Sequence, residues 1–410
     1  MSISVFRPWL AFALLLSLAP VVVAQDDERA AAERAEQQRK EIFRAGFGEI
    51  VNDLNHNSID RFIMAIDRED MLERVFGLRL IDPKVKKTFR EDFDEFIRDI
   101  FGAEFDAAEE EGSIRAAWLG FGSRGDRGKA IVRFDLPDFQ FNYHEYELRL
   151  DKNNKVIIVD FVDFMTGEKF SDGMGETLVK MSPGKNAVRK LLDVQNPSEA
   201  QVFQVSELLK AQRDLQADRF FEIYENMDEE MQGQRIAVLS GVYLTRAVRD
   251  RRKMRTALKS LAEYFPDEPL YSLMLLDYYF PTRQYEKAME SLLRLQRRLG
   301  VKDSAMSARL SSAALVLDDV DAAAAYAEEA VAMEPGLELG WWAALRARTA
   351  NGQFAEAVAA LDVLEQQFGY TLDGAGLEKD PSLGALLRSD EYGEWYVRHV
   401  EGDATAPETE

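Results

Sequence analysis

The chain has 410 residues, of which 46% are apolar and 10% aromatic, so it is long enough for two or three domains that each bury a core. Its 73 acidic residues outnumber 51 basic ones, and the net charge of −22 disfavours binding to nucleic acid or to an anionic membrane surface. The absence of cysteine excludes disulfides, a thiolate nucleophile and a lipidated cysteine.

Residues 1–24 have the pattern of a secretory signal peptide. The single cation Arg7 precedes an apolar run from Leu10, and small residues predict cleavage after Ala24. The run of about 15 residues is shorter than the roughly 20 that a membrane-spanning helix needs, although an uncleaved inner-membrane anchor is the alternative. An exported protein of this size without disulfides suits the bacterial periplasm, where we expect it to be soluble.

The sequence from residue 25 to residue 180 predicts a helix and then an α+β domain. Residues 25–57 are predicted to form a charged leader helix, solvated or partly frayed, with acids ahead of bases as the helix dipole favours. Residues 58–180 begin with helical patterns within 59–76 and 84–105. Four strand-like runs with short connections then favour an antiparallel sheet. These runs are 113–122, 129–136, 139–150 and 156–165.

This order of helices and strands, over residues 50–166, resembles the cone-shaped nuclear transport factor two-like (cystatin-like) fold. The resemblance implies a concave sheet that forms a pocket with the helices, where some members use Asp, His or Tyr in catalysis. His144, beside Tyr143 and acidic neighbours, is the candidate for acid and base chemistry, and an exposed strand face is its alternative.

The three histidines lie in three separate regions of the sequence, at His56, His144 and His399. They assemble no local metal-ligand spacing and no catalytic triad, so we expect no catalytic residue, no cofactor and no metal. We therefore expect that the protein is not an enzyme.

After a linker over residues 181–200, the chain is predicted to be all helical and repetitive. Four helix-ending residues recur at spacings of 34, 35 and 34 residues, and a second set keeps the same register, which predicts stacked helix pairs. The first set is Pro266, Gly300, Pro335 and Gly369, and the second is Met254, Ala288, Ala323 and Ala357.

Small residues at these offsets, with Trp341 and Ala330, make residues 201–371 resemble the tetratricopeptide repeat. The resemblance implies about five helix pairs that stack into a solenoid with a concave, partner-binding face. The Lys and Asn residues with which some members grip a terminal carboxylate are absent at the matching offsets, so that ligand is not inferred. Residues 372–400 are predicted to cap the solenoid, and 401–410 to form a disordered acidic tail.

The predicted partner site combines residues at groove offsets with a basic turn in the second repeat, for which a solvated turn is the alternative. Its members are Tyr243, Arg246, Asp277, Trp342, Arg346, Arg249, Arg251 and Arg252. The prediction is a multidomain, exported, non-enzymatic interaction scaffold that binds a protein or peptide. The alternative is a small-molecule-binding or hydrolytic α+β domain that the repeats recruit to a complex.

Overall fold

The computed structural model describes residues 10–77, 79–100, 115–137, 139–181 and 184–401, and the side chains of residues 30–399 within those ranges. It has an α+β half followed by an all-helical half, which confirms the predicted fold class. The start of the predicted signal segment, residues 101–114 and most of the predicted tail lie outside the described residues. Within the described part of the chain, no helix is both long enough and apolar enough to cross a membrane.

Seven helices belong to the first half of the described chain. Asp82 accepts a hydrogen bond from the backbone N–H of Lys84, and Pro83 occupies the first turn, so α4 begins where its free N–H groups are satisfied. The predicted helix over 84–105 is interrupted at Asp92. The helices are α1 (Leu10–Leu54), α2 (Asp60–Ala65), α3 (Arg68–Phe76), α4 (Pro83–Glu91), α5 (93–100), α6 (Phe170–Met181) and α7 (Lys185–Leu191).

The strands form one antiparallel sheet in the order β1-β2-β3-β4-β5. The four predicted runs are confirmed as β1 to β4, and a short fifth strand follows a turn at Gly167, whose φ of +70° suits glycine. The strands are β1 (Arg115–Arg124), β2 (Arg127–Asp135), β3 (Phe141–Leu150), β4 (Val156–Asp163) and β5 (Glu168–Lys169).

One face of the sheet packs on helices of the same half. Tyr146, Leu148 and Phe161 lie in one apolar cluster with residues of α1 to α6. Helix α1 differs from the expected solvated leader, because Phe43 and Phe47 are at most 1% exposed. Aromatic side chains at helical spacing near the end of the leader join this core, so the helix is part of the α+β half.

The second half contains five helix hairpins, as the repeat spacing predicts. Ala288, Ala323 and Ala357 are fully buried, which allows close helix packing, but in the second hairpin Ala257 is buried and Met254 is half-buried. The hairpins are α8 (Glu199–Arg213) with α9 (Ala217–Glu225), α11 (Arg235–Ala247) with α12 (Arg251–Tyr264), α13 (Ser272–Tyr279) with α14 (Tyr285–Leu299), α15 (Ser304–Val316) with α16 (Val320–Met333), and α17 (Glu338–Ala350) with α18 (Phe354–Phe368). A short α10 (Glu229–Gln232) follows α9.

The C-terminal segment packs on the last hairpin. It contains α19 (Gly374–Leu377), two 3₁₀ turns (Pro381–Leu383 and Leu386–Arg388), α20 (Asp390–Tyr396) and a final π turn (Val397–Glu401). Leu383, Leu386 and Trp395 are fully buried in a cluster with Leu361 and Leu364 of α18. These contacts are those expected of a solenoid cap, and the predicted domain boundaries themselves stay a prediction.

Candidate functional site

The first helices of two hairpins contact the chain's own α+β half. The Tyr243 hydroxyl on α11 donates to the backbone carbonyl of Thr166 at 2.8 Å, and Arg246 donates to that of Met165 at 2.8 Å. On α15, Arg309 donates to the carbonyl of Phe139 at 2.7 Å. Part of the predicted partner groove is therefore covered by the turns beside β3 and β4.

A buried arginine of β2 bonds to several carboxylates, two of them in the repeats. The Arg133 side chain is fully buried, and its Nε donates to Asp135 at 2.6 Å. Its terminal nitrogens donate to Glu334 at 2.9 Å and to Asp303 in the repeats. Tyr143 donates to the second oxygen of Asp303 at 2.5 Å. Burial lowers the pKa of Arg133, but the hydrogen bonds to Asp135 and the nearby carboxylates outweigh burial and raise it.

Further ion pairs among the described residues join the halves. Both terminal nitrogens of Arg298 on α14 donate to the Glu145 carboxylate of β3, at 2.7 and 3.0 Å, in bidentate geometry. Burial raises the pKa of Glu145, but the hydrogen bonds from Arg298 and Lys129 outweigh it and hold the pKa below its usual value. Arg235 of α11 bridges Glu168 and Glu176, both buried. The sheet is thus held to the repeats by charge-assisted hydrogen bonds as well as by apolar contacts, since Ile131, Tyr143 and Val162 share a buried apolar cluster with residues of the repeats.

A cavity of about 500 Å³ lies where the sheet, α6, α8 and α11 meet, and we call it the junction cavity. Phe161, Phe170 and Met174 form apolar walls, and Lys180 and Tyr243 contribute polar groups. Its volume falls in the range of small-molecule sites, which are mostly apolar with a few polar groups.

His144 lies at the junction cavity inside a hydrogen-bonded network. Its Nδ1 is 2.9 Å from the Tyr146 hydroxyl, and its Nε2 is 3.3 Å from the Asn142 amide nitrogen. Since Asn142 Nδ2 is a donor, Nε2 is assigned as the acceptor and Nδ1 carries the proton. The carboxylate of Asp163 lies 3.8 Å from Nε2, beyond direct hydrogen bonding. Burial lowers the pKa of His144, so the ring is neutral at pH 7.

Lys180 differs from the other lining cations, Lys169 and Arg213, which both form ion pairs. Its ammonium lies 5.9 Å from the centre of the Tyr243 ring, and among the described residues no carboxylate oxygen lies within 4.0 Å of it. Glu168 and Glu176, the nearest acids along α6 and β5, are engaged by Arg235. Burial lowers the pKa of Lys180, although the charges of these two acids oppose the change.

The structure separates the predicted partner-site residues into four places. Tyr243 lines the junction cavity, whereas Arg246 and Asp277 pair at 3.4 Å beside a second cavity of about 330 Å³. Trp342 and Arg346 line a third cavity of about 500 Å³ between α17 and the cap, which we call the α17 cavity. The remaining three arginines are exposed: Arg249 lies on the turn after α11, and Arg251 and Arg252 lie in the first turn of α12. Partner binding by all eight residues stays a prediction.

The α17 cavity lies at the cap end of the solenoid, beyond Arg309 and Glu334, which contact the sheet. The Arg346 guanidinium lies 5.5 Å from the centre of the Trp342 ring, and its Nε donates to Asp380 at 2.7 Å. Tyr370 packs edge-on against Trp342 at 5.3 Å. Among the described residues, the two terminal nitrogens of Arg346 have no hydrogen-bond acceptor, although the residue lines the cavity.

Sequence reasoning missed Arg133 and Lys180. A signal for Arg133 was present, because a charged residue inside the apolar run Ala-Ile-Val-Arg-Phe must find a partner when buried. No such signal in the sequence marks Lys180. The histidine interpretation also missed one local group: Asp362, Glu365 and His399, half-buried, place one ligand atom each within 4.8 Å of the others. The Nδ1 of His399 lies 3.0 Å from the Trp395 carbonyl, which leaves Nε2 toward the acids.

Comparison with known proteins does not assign the chain to a family. No known protein family and no curated protein matches the chain. Among solved structures, the chain is similar to PilW, described as a widely conserved type IV pilus biogenesis factor, with a TM-score of 0.33 and 10% identity. The alignment covers 51% of this chain and 96% of PilW. A TM-score this low does not define a shared fold, and the resemblance of the α+β half to the nuclear transport factor two-like fold stays a prediction.

Proposed function

We propose that the chain is an exported, non-enzymatic interaction protein that binds a peptide or protein segment in the α17 cavity. The observation that carries the proposal is that the two terminal nitrogens of Arg346, beside Trp342, have no acceptor among the described residues, on the part of the solenoid beyond the contacts with the sheet. Aromatic and arginine side chains in partly desolvated pockets dominate the free energy of many interfaces. A partner segment would offer an acceptor to Arg346 and an apolar group to Trp342 and Tyr370.

The chain provides a matched control on the same helix. Trp341 and Arg348 also form a tryptophan–arginine pair on α17, with the guanidinium 6.0 Å from the ring centre. Unlike Arg346, however, Arg348 has its terminal nitrogen bonded to a carboxylate, that of Glu328 on α16. The experiment compares wild type, Trp342→Ala plus Arg346→Ala, and Trp341→Ala plus Arg348→Ala as baits in a periplasmic extract. A protein captured by wild type should then be purified and titrated against each form.

The proposal expects the purified partner to lose at least roughly tenfold in affinity with the first double variant and to keep its affinity with the second. Equal affinities for wild type and the first variant would assign the partner site elsewhere. The exposed turn of Arg249, Arg251 and Arg252 is proposed as an additional contact for an acidic partner, and exchange of these three for Ser should then weaken binding and reduce its salt dependence.

Export to the periplasm is part of the proposal and has its own measurement. The apolar N-terminal run and the absence of cysteine support it. Fractionation should place the protein in the periplasm, and N-terminal sequencing of the mature chain should begin at Gln25. Membrane association with an intact N-terminus would instead support the uncleaved anchor.

Small-molecule binding or hydrolysis by the α+β half is the second candidate function. The junction cavity favours its binding part, because apolar walls and polar groups converge there. The hydrolytic part would require the neutral His144 to act as a base toward the cavity. If the protein turns over a panel of activated esters, His144→Gln should abolish that turnover, and unchanged turnover would remove His144 from the reaction.

A further inference from the structure

The walls and rim of the junction cavity are apolar. Phe161 is 1% exposed and Met174 7% exposed, so the inner wall belongs to the core of the α+β half. At the rim, Met181 and Leu215 are 54% and 57% exposed, although both are large apolar residues. Leu215 also has a φ of +53°, an uncommon backbone conformation for leucine. An apolar rim around an apolar cavity favours a ligand with an apolar body.

Most of the charged groups that line the cavity already have a hydrogen-bond or ion-pair partner within the protein. Asp163 accepts from Asn142 and from the backbone N–H of Met165, each at 2.8 Å. Lys169 pairs with Glu147, and Arg213 with Asp214 at 3.2 Å. Glu168, the remaining lining acid, accepts from Arg235.

Lys180 is the exception among these lining groups. It has no carboxylate partner within 4.0 Å among the described residues, and its ammonium group has three donors and no acceptor. The group that completes the cavity must therefore supply an acceptor, and a negative charge would be favoured. A cationic ligand would find every lining carboxylate already bonded.

We propose that the junction cavity binds a small amphipathic anion, a carboxylate on an apolar chain, with its head group at Lys180. The apolar chain would lie along Phe161, Phe170 and Met174 toward the rim at Leu215. This inference deepens the binding part of the second candidate function and is independent of the α17 cavity, so the pull-down and the ligand titration can fail separately.

The test titrates the full chain with decanoate below its critical micelle concentration, and with decanol as the uncharged probe, by calorimetry. Lys180→Met removes the charge and keeps an apolar stem, whereas Lys180→Arg keeps the charge. We expect saturable decanoate binding to wild type, a loss of at least roughly tenfold in affinity for Lys180→Met, and recovery in Lys180→Arg. Decanol should bind wild type and Lys180→Met equally.

A second pair of variants covers the case in which Lys180→Met does not fold. Leu215→Asp and Leu215→Asn both suit the positive φ at this rim position, and only the first adds a like charge. Decanoate should bind Leu215→Asp more weakly than Leu215→Asn. The proposal is overturned if wild type shows no saturable binding of decanoate, if a folded Lys180→Met binds decanoate as wild type does, or if the two Leu215 variants bind it equally.

Discussion

The two faces of the sheet differ in the charge that they bury. Toward α1 to α6 the sheet presents apolar side chains such as Val132, Leu148 and Phe161. Toward the repeats it presents apolar side chains such as Ile131 and Tyr143 together with Arg133 and Glu145, which bond to carboxylates and guanidinium groups, and we call this side the charged face. Because side chains alternate along a strand, β2 and β3 supply both surfaces.

The two kinds of contact therefore contribute differently: apolar contacts bury surface, whereas ion pairs fix the orientation of the two halves. Apolar contacts are non-directional, and the helices that cover the apolar face are neighbours of the sheet in sequence. The ion pairs of Arg133 and Glu145 with the repeats join groups that are 153 to 201 residues apart in the chain and require defined geometry. Buried ion pairs add little net stability, but a broken pair is costly, so the charged face disfavours any other arrangement of the two halves.

The largest expected effect comes from removing the buried cation of the charged face. Arg133→Met leaves the buried Asp303 and the half-buried Asp135 without the guanidinium that pairs with them, and we expect it to lower the free energy of unfolding by roughly 4 kcal/mol. Urea unfolding measures the loss, and limited proteolysis between α6 and α8 should become faster as the halves separate. Adding Asp303→Asn should recover part of the loss. Wild-type stability in Arg133→Met would remove the proposed orienting role.

On the apolar face, we expect a loss that does not depend on charge. Leu148 is 2% exposed, and Leu148→Ala leaves a cavity that should lower the free energy of unfolding by roughly 3 kcal/mol. The loss should be the same at pH 7 and at pH 5, because no ionisable group is removed. A loss that changes with pH would show that the two faces are coupled.

The ion pairs predict that acid weakens the contact between the halves. The pKa values of Glu145 and Glu334 lie below their ordinary value of 4.5, because the paired cations outweigh burial. The folded state therefore binds fewer protons than the unfolded state, and this stabilisation is present above about pH 4.5 and is lost as pH falls through the folded pKa values. Glu145→Gln should lower the free energy of unfolding by about 1.5 kcal/mol at pH 7. The difference from wild type should shrink at pH 3, and a constant difference would contradict the assignment.

The smallest expected effect is at the edge of the charged face. Tyr243→Phe removes one hydroxyl that donates to the Thr166 carbonyl and should cost about 1 kcal/mol in urea unfolding. Stability equal to that of wild type would contradict a contribution of this hydrogen bond to the contact between the halves.

The repeats were the most predictable part of the fold. Each hairpin needs small residues where its helices cross and a helix end every 34 or 35 residues, and both requirements appear locally in the sequence. Gly300 and Gly369 adopt φ values of +69° and +74° at the ends of α14 and α18, as glycine after a helix predicts. The four main strands were equally visible, because alternation and turn residues are local signals.

The candidate sites were less predictable. The groove offsets identified Trp342 and Arg346, which line one cavity, but gave no sign that Tyr243 and Arg246 would contact the sheet. The role of Arg133 depends on Asp303 and Glu334, and no spacing rule relates residues so far apart. Within the described part of the chain, Lys180 lacks an ion pair because Arg235, which lies on α11, bonds to the acids near it, Glu168 and Glu176.

The sequence by itself determined the elements of this protein: an antiparallel sheet with helices, then five helix hairpins and a terminal segment that packs on the last one. Those elements follow from periodicity, turn residues and caps, which act over a few residues. Only the tertiary structure decided that the sheet lies against the repeats, which side chains remain at a cavity and which are used internally. Such contacts depend on charges and shapes brought together from distant parts of the chain, and local patterns do not encode them.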